Sequence, residues 1–382
     1  MQKKELLNKL FVEDKTGKEY IVFCHSDKTW IMPDESLEPA LEMYQPSTMK
    51  GKILKSCIKL FHTNEQILHK LGCDKKKLSF DVDILSYLQK TINQKNIYIA
   101  AYMGDTTTRQ NNKATLQVYN DQTIFCYVKV SEEPEVLENF SREINSLKYL
   151  DERGIENIPR VLGNEKIQGL RIFVQSTNKP LKQQVQLEFG WKQIGFIDNI
   201  VKKTQMNVTY GTSEFYTSVQ YLKEHIQQFA DREKSLIHTA IKQIERYEEE
   251  KGIQFAFSHG DYTPWNVYYV DGELFAFDFE YCYQTMPCYM DVFHYLTQFS
   301  LMGQHNDAEK TILLYQESKK QLEEYISSPD IVYVCYLLHI IAFYHNRTNG
   351  RKELLQEQMK FWMRLLEYLI KEDHVVGDIS QV

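Results

Sequence analysis

The feature that most constrains this chain is an Asp-Gly pair, Asp271-Gly272, set between two β-rich runs, Val267-Tyr268-Tyr269-Val270 and Leu274 to Phe277. Both turn residues tolerate positive φ, so the pair predicts a tight hairpin. A hairpin brings its two ends together, and here those ends are Asn266 and Asp278. The first arm is entered through His259-Gly260-Asp261-Tyr262-Thr263-Pro264-Trp265, and the second leaves through Phe279-Glu280. One carboxylate, one carboxamide and a second carboxylate are thereby ordered around one local structure. The same pattern also fits a polar-rimmed hairpin with no chemistry.

These residue types suit phosphoryl transfer. That reaction needs little covalent help, so catalysis consists mainly of aligning the acceptor oxygen and neutralising charge on the phosphates. Asp261 and His259 form the catalytic pair of this reading: Asp261 accepts a proton from the acceptor hydroxyl or orients it, and His259 braces the loop rather than reacting. Asn266 and Asp278 supply hard oxygen donors of the kind that Mg²⁺ prefers. Glu280 is either a third ligand or a bystander.

The string His259-Gly260-Asp261 through Asn266, followed by Asp278-Phe279-Glu280 and Asp291, resembles the aminoglycoside phosphotransferase and choline kinase superfamily. The resemblance is specific over about residues 255 to 295. It implies an α+β, bilobal protein-kinase-like fold, with a small antiparallel-sheet N-lobe carrying one helix and a larger, mainly helical C-lobe. It also implies ATP and Mg²⁺ as cofactors and a small-molecule hydroxyl as acceptor. Asp291 matches a family aspartate that braces the catalytic loop. Gly260 stands where protein kinases usually carry Arg, and no Ala-Pro-Glu segment follows Glu280, which counts against a protein kinase.

An ATP-holding half should precede the motif. Ile97 to Tyr102, Ala114 to Tyr119 and Ile124 to Val130 read as strands, and Glu138 to Leu150 reads as a helix with Phe140, Ile144, Leu147 and Leu150 on one face. Lys129, near the end of the third strand, is similar to the strand lysine of kinases that contacts the α- and β-phosphates, and Glu143 on the helix is placed to pair with it. Read alone, such residues are more often solvated surface charges. Thr106, Thr107 and Thr108 stand where a glycine-rich phosphate loop would be expected, and their hydroxyls and backbone N–H groups suit phosphate oxygens. Arg160 to Gly163 and Leu170 to Val174 complete the lobe, with Gln175 to Asn178 as the hinge. In the C-lobe, Tyr281, Cys282, Tyr283 and Tyr289 are expected near the acceptor.

With 382 residues, 43% of them hydrophobic, the chain has room for two lobes and an extension. The division is residues 1–94 as an N-terminal extension, 95–178 as the N-lobe and 179–382 as the helical C-lobe. A net charge of -7 argues against a nucleic-acid partner. Seven cysteines without framework spacing suggest reduced thiols and a cytoplasmic setting. The longest apolar run, Val332 to Tyr344, is too short for a transmembrane segment. In the extension, lysines 50, 52, 55 and 59 flank Ile53, Leu54, Ile58 and Leu60. That basic amphipathic segment suits an anionic surface or, more commonly, a helix packed on its own domain. The function expected is an ATP- and Mg²⁺-dependent small-molecule kinase. The alternative is a catalytically silent nucleotide-binding regulator or scaffold of the same fold.

Overall fold

The computed structural model describes residues 2–25, 27–46, 48–104, 112–181, 187–351 and 356–378. Thr106, Thr107 and Thr108 lie outside the described residues. The expected α+β class holds, with an antiparallel sheet and a mainly helical part. The chain divides into two units, Met1–Tyr149 with Ile158–Gln184, and Leu150–Asn157 with Val185–Val382.

The first unit is built on one eight-stranded sheet. Its strands in chain order are β1 (Phe11–His25), β2 (Lys28–Pro33), β3 (Cys73–Phe80), β4 (Tyr98–Met103), β5 (Ala114–Tyr119), β6 (Ile124–Ser131), β7 (Val161–Ile167) and β8 (Leu170–Ser176). Their spatial order is β3-β1-β2-β4-β5-β6-β8-β7, all neighbours antiparallel. The expected break near residue 94 is therefore not a break in the sheet. Thr29, Trp30 and Ile31 of β2 pair with Met103, Tyr102 and Ala101 of β4, so the first 94 residues extend the sheet.

Alternation sets which side chains meet. Leu116, Val118, Cys126, Val128 and Val130 enter one core cluster with Leu6, Leu10 and Leu88. The opposite face buries Ile21, Phe23, Trp30, Tyr44, Ile58 and Tyr119. Each such aliphatic or aromatic side chain contributes about 1.5–3 kcal/mol on leaving water. The helix Pro134–Glu152 follows β6 and buries Phe140, Ile144, Leu147 and Leu150, the stripe read from spacing.

The second unit is mainly helical, with helices Trp191–Thr204, Glu214–His225, Asp231–Lys251, Met290–Gln298, Ala308–Leu322, Pro329–Arg347 and Gln356–Asp378. Two short antiparallel pairs interrupt them: β10 (Val267–Val270) with β11 (Glu273–Ala276), and β9 (Phe255–Ser258) with β12 (Tyr283–Pro287). Tyr315, Tyr333 and Tyr336 are fully buried at its centre, where the Phe293 and Tyr333 rings stack at 4.8 Å. None of the described helices is long and apolar enough to cross a membrane.

Candidate active site

The hairpin forms as its sequence demands. Val267, Tyr268, Tyr269 and Val270 pair with Ala276, Phe275, Leu274 and Glu273, and Asp271 and Gly272 turn with φ of 51° and 85°. The Phe277 N–H donates to the Asn266 carbonyl at 3.0 Å, which closes the ladder one residue before Asp278. Asp278 itself has φ of 69°. A non-glycine residue held there stores of order 1–3 kcal/mol of backbone strain, a cost that structures commonly tolerate at functional positions.

The loop from Ser258 to Asn266 is held from beneath by Asp291, at the start of helix Met290–Gln298. Its carboxylate accepts from the Ser258 hydroxyl at 2.9 Å, the His259 N–H at 2.7 Å and the Gly260 N–H at 3.0 Å. The bracing role that the family resemblance implied for Asp291 is thus visible as three hydrogen bonds. Gly260 has φ of 76°, and a Cβ on it would lie 2.1 Å from the Tyr281 carbonyl oxygen. No side chain fits there, which is the local reason for glycine between His259 and Asp261.

His259 is fully buried, its ring 4.2 Å from that of Phe279. Nε2–H donates to the Phe277 carbonyl at 3.0 Å, and Nδ1 accepts the Asp261 N–H at 3.3 Å. Burial holds its pKa below the ordinary imidazole value against the pull of Asp291 and Asp261, which keeps the ring neutral. In this arrangement the ring joins the two ends of the site and faces no open space.

Asp261 is the more accessible group, its side chain 32% exposed. Asn266 donates Nδ2–H to its carbonyl at 2.9 Å and to its Oδ2 at 2.8 Å. Both amide hydrogens are thereby used, and Oδ1 of Asn266 has no donor among the described residues. The second carboxylate oxygen of Asp261 is 3.3 Å from Nε2 of the buried His294. Of the residues named from sequence, His259, Asp261 and Asn266 are thus joined within one loop, with Asp261 held at both oxygens.

His294 was not read from the sequence. It sits three residues beyond Asp291 on one helix, and i,i+3 spacing sends both side chains to the same loop. That spacing was the available signal. The four residues expected near the acceptor have different surroundings. The Tyr281 carbonyl and the Tyr283 ring both lie against Gly260, whereas Cys282 is buried and the Tyr289 hydroxyl donates to Asp198 at 2.9 Å. Tyr289 has φ of 68° as the helix begins, and the chain turns its ring toward helix Trp191–Thr204. The Arg347 guanidinium lies 5.9 Å from the Tyr281 ring and 6.0 Å from that of Phe343. Burial raises the Tyr281 pKa, aided by Glu280.

In the first unit, Lys129 Nζ is 2.7 Å from Glu143 Oε2. Both residues are buried, and Gln175 donates to the other Glu143 oxygen at 2.6 Å. Gln175 falls within the stretch expected as a hinge, but its side chain turns inward to the carboxylate.

No family profile matches the chain, and no curated protein sequence matches it. Among solved structures, amicoumacin kinase hAmiN in complex with AMP-PNP, Ca²⁺ and Ami is similar at 12% identity and a TM-score of 0.47, covering 77% of this chain and 94% of its own. A thermostable mutant of aminoglycoside phosphotransferase APH(4)-Ia is similar at 10% identity and a TM-score of 0.46, covering 75% and 98%. Aminoglycoside phosphotransferase APH(3'')-Id from Streptomyces rimosus is similar at 12% identity and a TM-score of 0.43, covering 68% and 97%. At such scores the likeness decides nothing about chemistry, and the geometry of the loop has to carry it.

Proposed function

We propose that this protein is a phosphotransferase that moves the γ-phosphoryl group of ATP to a hydroxyl of a small molecule, with Asp261 as the base. The observation that carries the reading is the pairing of Asn266 with Asp261. The amide fixes one carboxylate oxygen with its hydrogens, and its own oxygen is left for a hard cation. Asn266 and Asp278 would hold Mg²⁺, and both offer oxygen donors, which fits that ion. When bound, the metal would neutralise charge on the phosphates.

The protein's own groups do the rest. Asp261 takes the acceptor proton or aligns the hydroxyl, while His294 and Asn266 keep its carboxylate from rotating. His259, neutral and buried, and Asp291 fix the loop's backbone. Lys129 would contact phosphate oxygens, oriented by Glu143. Thr106, Thr107 and Thr108 belong to the same proposal as phosphate contacts.

The test is release of ADP from Mg·ATP across a panel of sugars, amino alcohols and aminoglycosides. With an accepted substrate, Asp261→Ala should lower kcat by about 10²–10⁴-fold, the range that a positioned base contributes. Undiminished turnover in that variant would contradict the assignment. Nucleotide binding with no ADP release from any acceptor would favour a silent scaffold.

A further inference from the structure

The helix Met49–Phe61 has two apolar faces, and only one of them is used. Thr48 caps its start, accepting from the Gly51 N–H at 3.2 Å. Ile58 is fully buried and enters the aromatic cluster of Phe23, Trp30 and Tyr44, with Leu54 packed against it. At about 100° per residue, Met49, Ile53 and Leu60 fall within about 40° of one another, on the side opposite Ile58. They are 72%, 56% and 73% exposed, so the outward face of this helix is an aliphatic stripe about 16 Å long. A helix that merely packs on its own domain would turn polar side chains outward.

Lysines border the stripe on both shoulders. Lys50 lies on one side, Lys52 and Lys59 on the other. Lys59 is paired with Glu38 and Lys55 with Glu42, whereas Lys50 and Lys52 are exposed with no ion-pair partner among the described residues. The bias extends beyond the helix. Residues 48–77 carry eight lysines against Glu65 and Asp74; Lys75 and Lys76, like Lys55 and Lys59, pair with acids outside the segment, which leaves Lys50, Lys52, Lys70 and Lys77 without an ion-pair partner among the described residues. Lys70 and Lys77 of that segment are likewise exposed.

We propose that this helix is a membrane-docking element that lies on an anionic lipid surface, its Met49, Ile53 and Leu60 side chains entering the acyl boundary and its lysines meeting lipid phosphates. Charge complementarity selects the occupant. A protein-binding core is depleted in lysine and built around aromatic and arginine side chains, whereas a narrow aliphatic ridge between lysines matches an interfacial helix. The sign of the charge matters because the whole chain is acidic, so attraction to an anionic bilayer has to come from this segment alone.

Sedimentation of the 382-residue chain with vesicles tests this. Binding should be at least about fivefold greater on phosphatidylcholine vesicles containing about one-third phosphatidylglycerol than on phosphatidylcholine alone, and should fall as salt is added. The double variant Ile53→Asp/Leu60→Asp should lose it with an unchanged thermal melt, since both side chains are exposed, and Lys50→Glu/Lys52→Glu should lose the preference for anionic vesicles. Failure to bind either vesicle would overturn the proposal, as would binding that the aspartates leave intact. A concentration-dependent dimer that the same aspartates abolish would assign the stripe to a protein interface instead. None of these outcomes depends on turnover.

Discussion

Two charged constellations in this protein are built in opposite ways. The Lys129–Glu143 pair is buried on both sides, and Glu143 also receives Gln175. Asp261 is also held at both oxygens, by Asn266 and by His294, yet it remains a third exposed and sits in a loop flanked by positive φ at Gly260 and Asp278. The first arrangement is satisfied internally and rigid; the second keeps a face open and carries strain. A buried pair mainly enforces one geometry, because its desolvation offsets much of its attraction. An accessible carboxylate of fixed orientation is what a reacting hydroxyl requires.

The largest effect is expected at the buried pair. Lys129→Met leaves Glu143 buried opposite an apolar chain and should cost about 3–5 kcal/mol in urea unfolding, while Lys129→Met/Glu143→Leu should recover most of that loss. A single variant as stable as the parent would show the pair to be solvated. Asp261→Asn should do the reverse, leaving the unfolding midpoint nearly unchanged and lowering turnover by about 10²-fold or more.

Protons sharpen the contrast within the second unit. Burial lowers the pKa of His339 to about 3, aided by His294, and burial likewise lowers that of His259. The unfolded chain then binds protons that the folded one refuses. For His339, stability should be full above the unfolded value near 6.5 and should decline as pH falls toward about 3, by about 1.4 kcal/mol per pH unit, with His259 acting in the same direction. His339→Gln, compared with the parent in urea titrations at several pH values, should flatten that decline by one proton's worth. The smallest effect expected is that of His294→Gln, which can still donate toward Asp261. It should lower kcat by less than about tenfold and leave the acceptor KM unchanged, with His294→Ala lowering kcat further.

What could be read in the sequence was local. The Asp-Gly hairpin, the strands over 114–119 and from 124, and the stripe of helix Pro134–Glu152 follow from short-range patterns, and all three formed. Strand β3 gives no local signal, because Asp74 to Lys77 are four consecutive charged residues, yet its backbone pairs along β1. That residues before 94 join the sheet was not legible either, because the pairing of β2 with β4 is decided between distant residues. The loop residues were legible from their spacing, whereas His294 reaches Asp261 across 33 residues and, in the first unit, Gln175 reaches Glu143 across 32. The hydrogen bond from Tyr289 to Asp198, 91 residues away, is likewise beyond any local pattern.

Under the proposed function, Asn266 and Asp278 hold a divalent ion that carries a triphosphate. Isothermal titration of AMP-PNP with and without Mg²⁺, on the parent and on Asp278→Ala, tests it most directly. The account predicts Mg²⁺-dependent binding in the parent that weakens by about tenfold or more in the variant. Binding equal with and without the metal, or unaltered by removal of the Asp278 carboxylate, would contradict it.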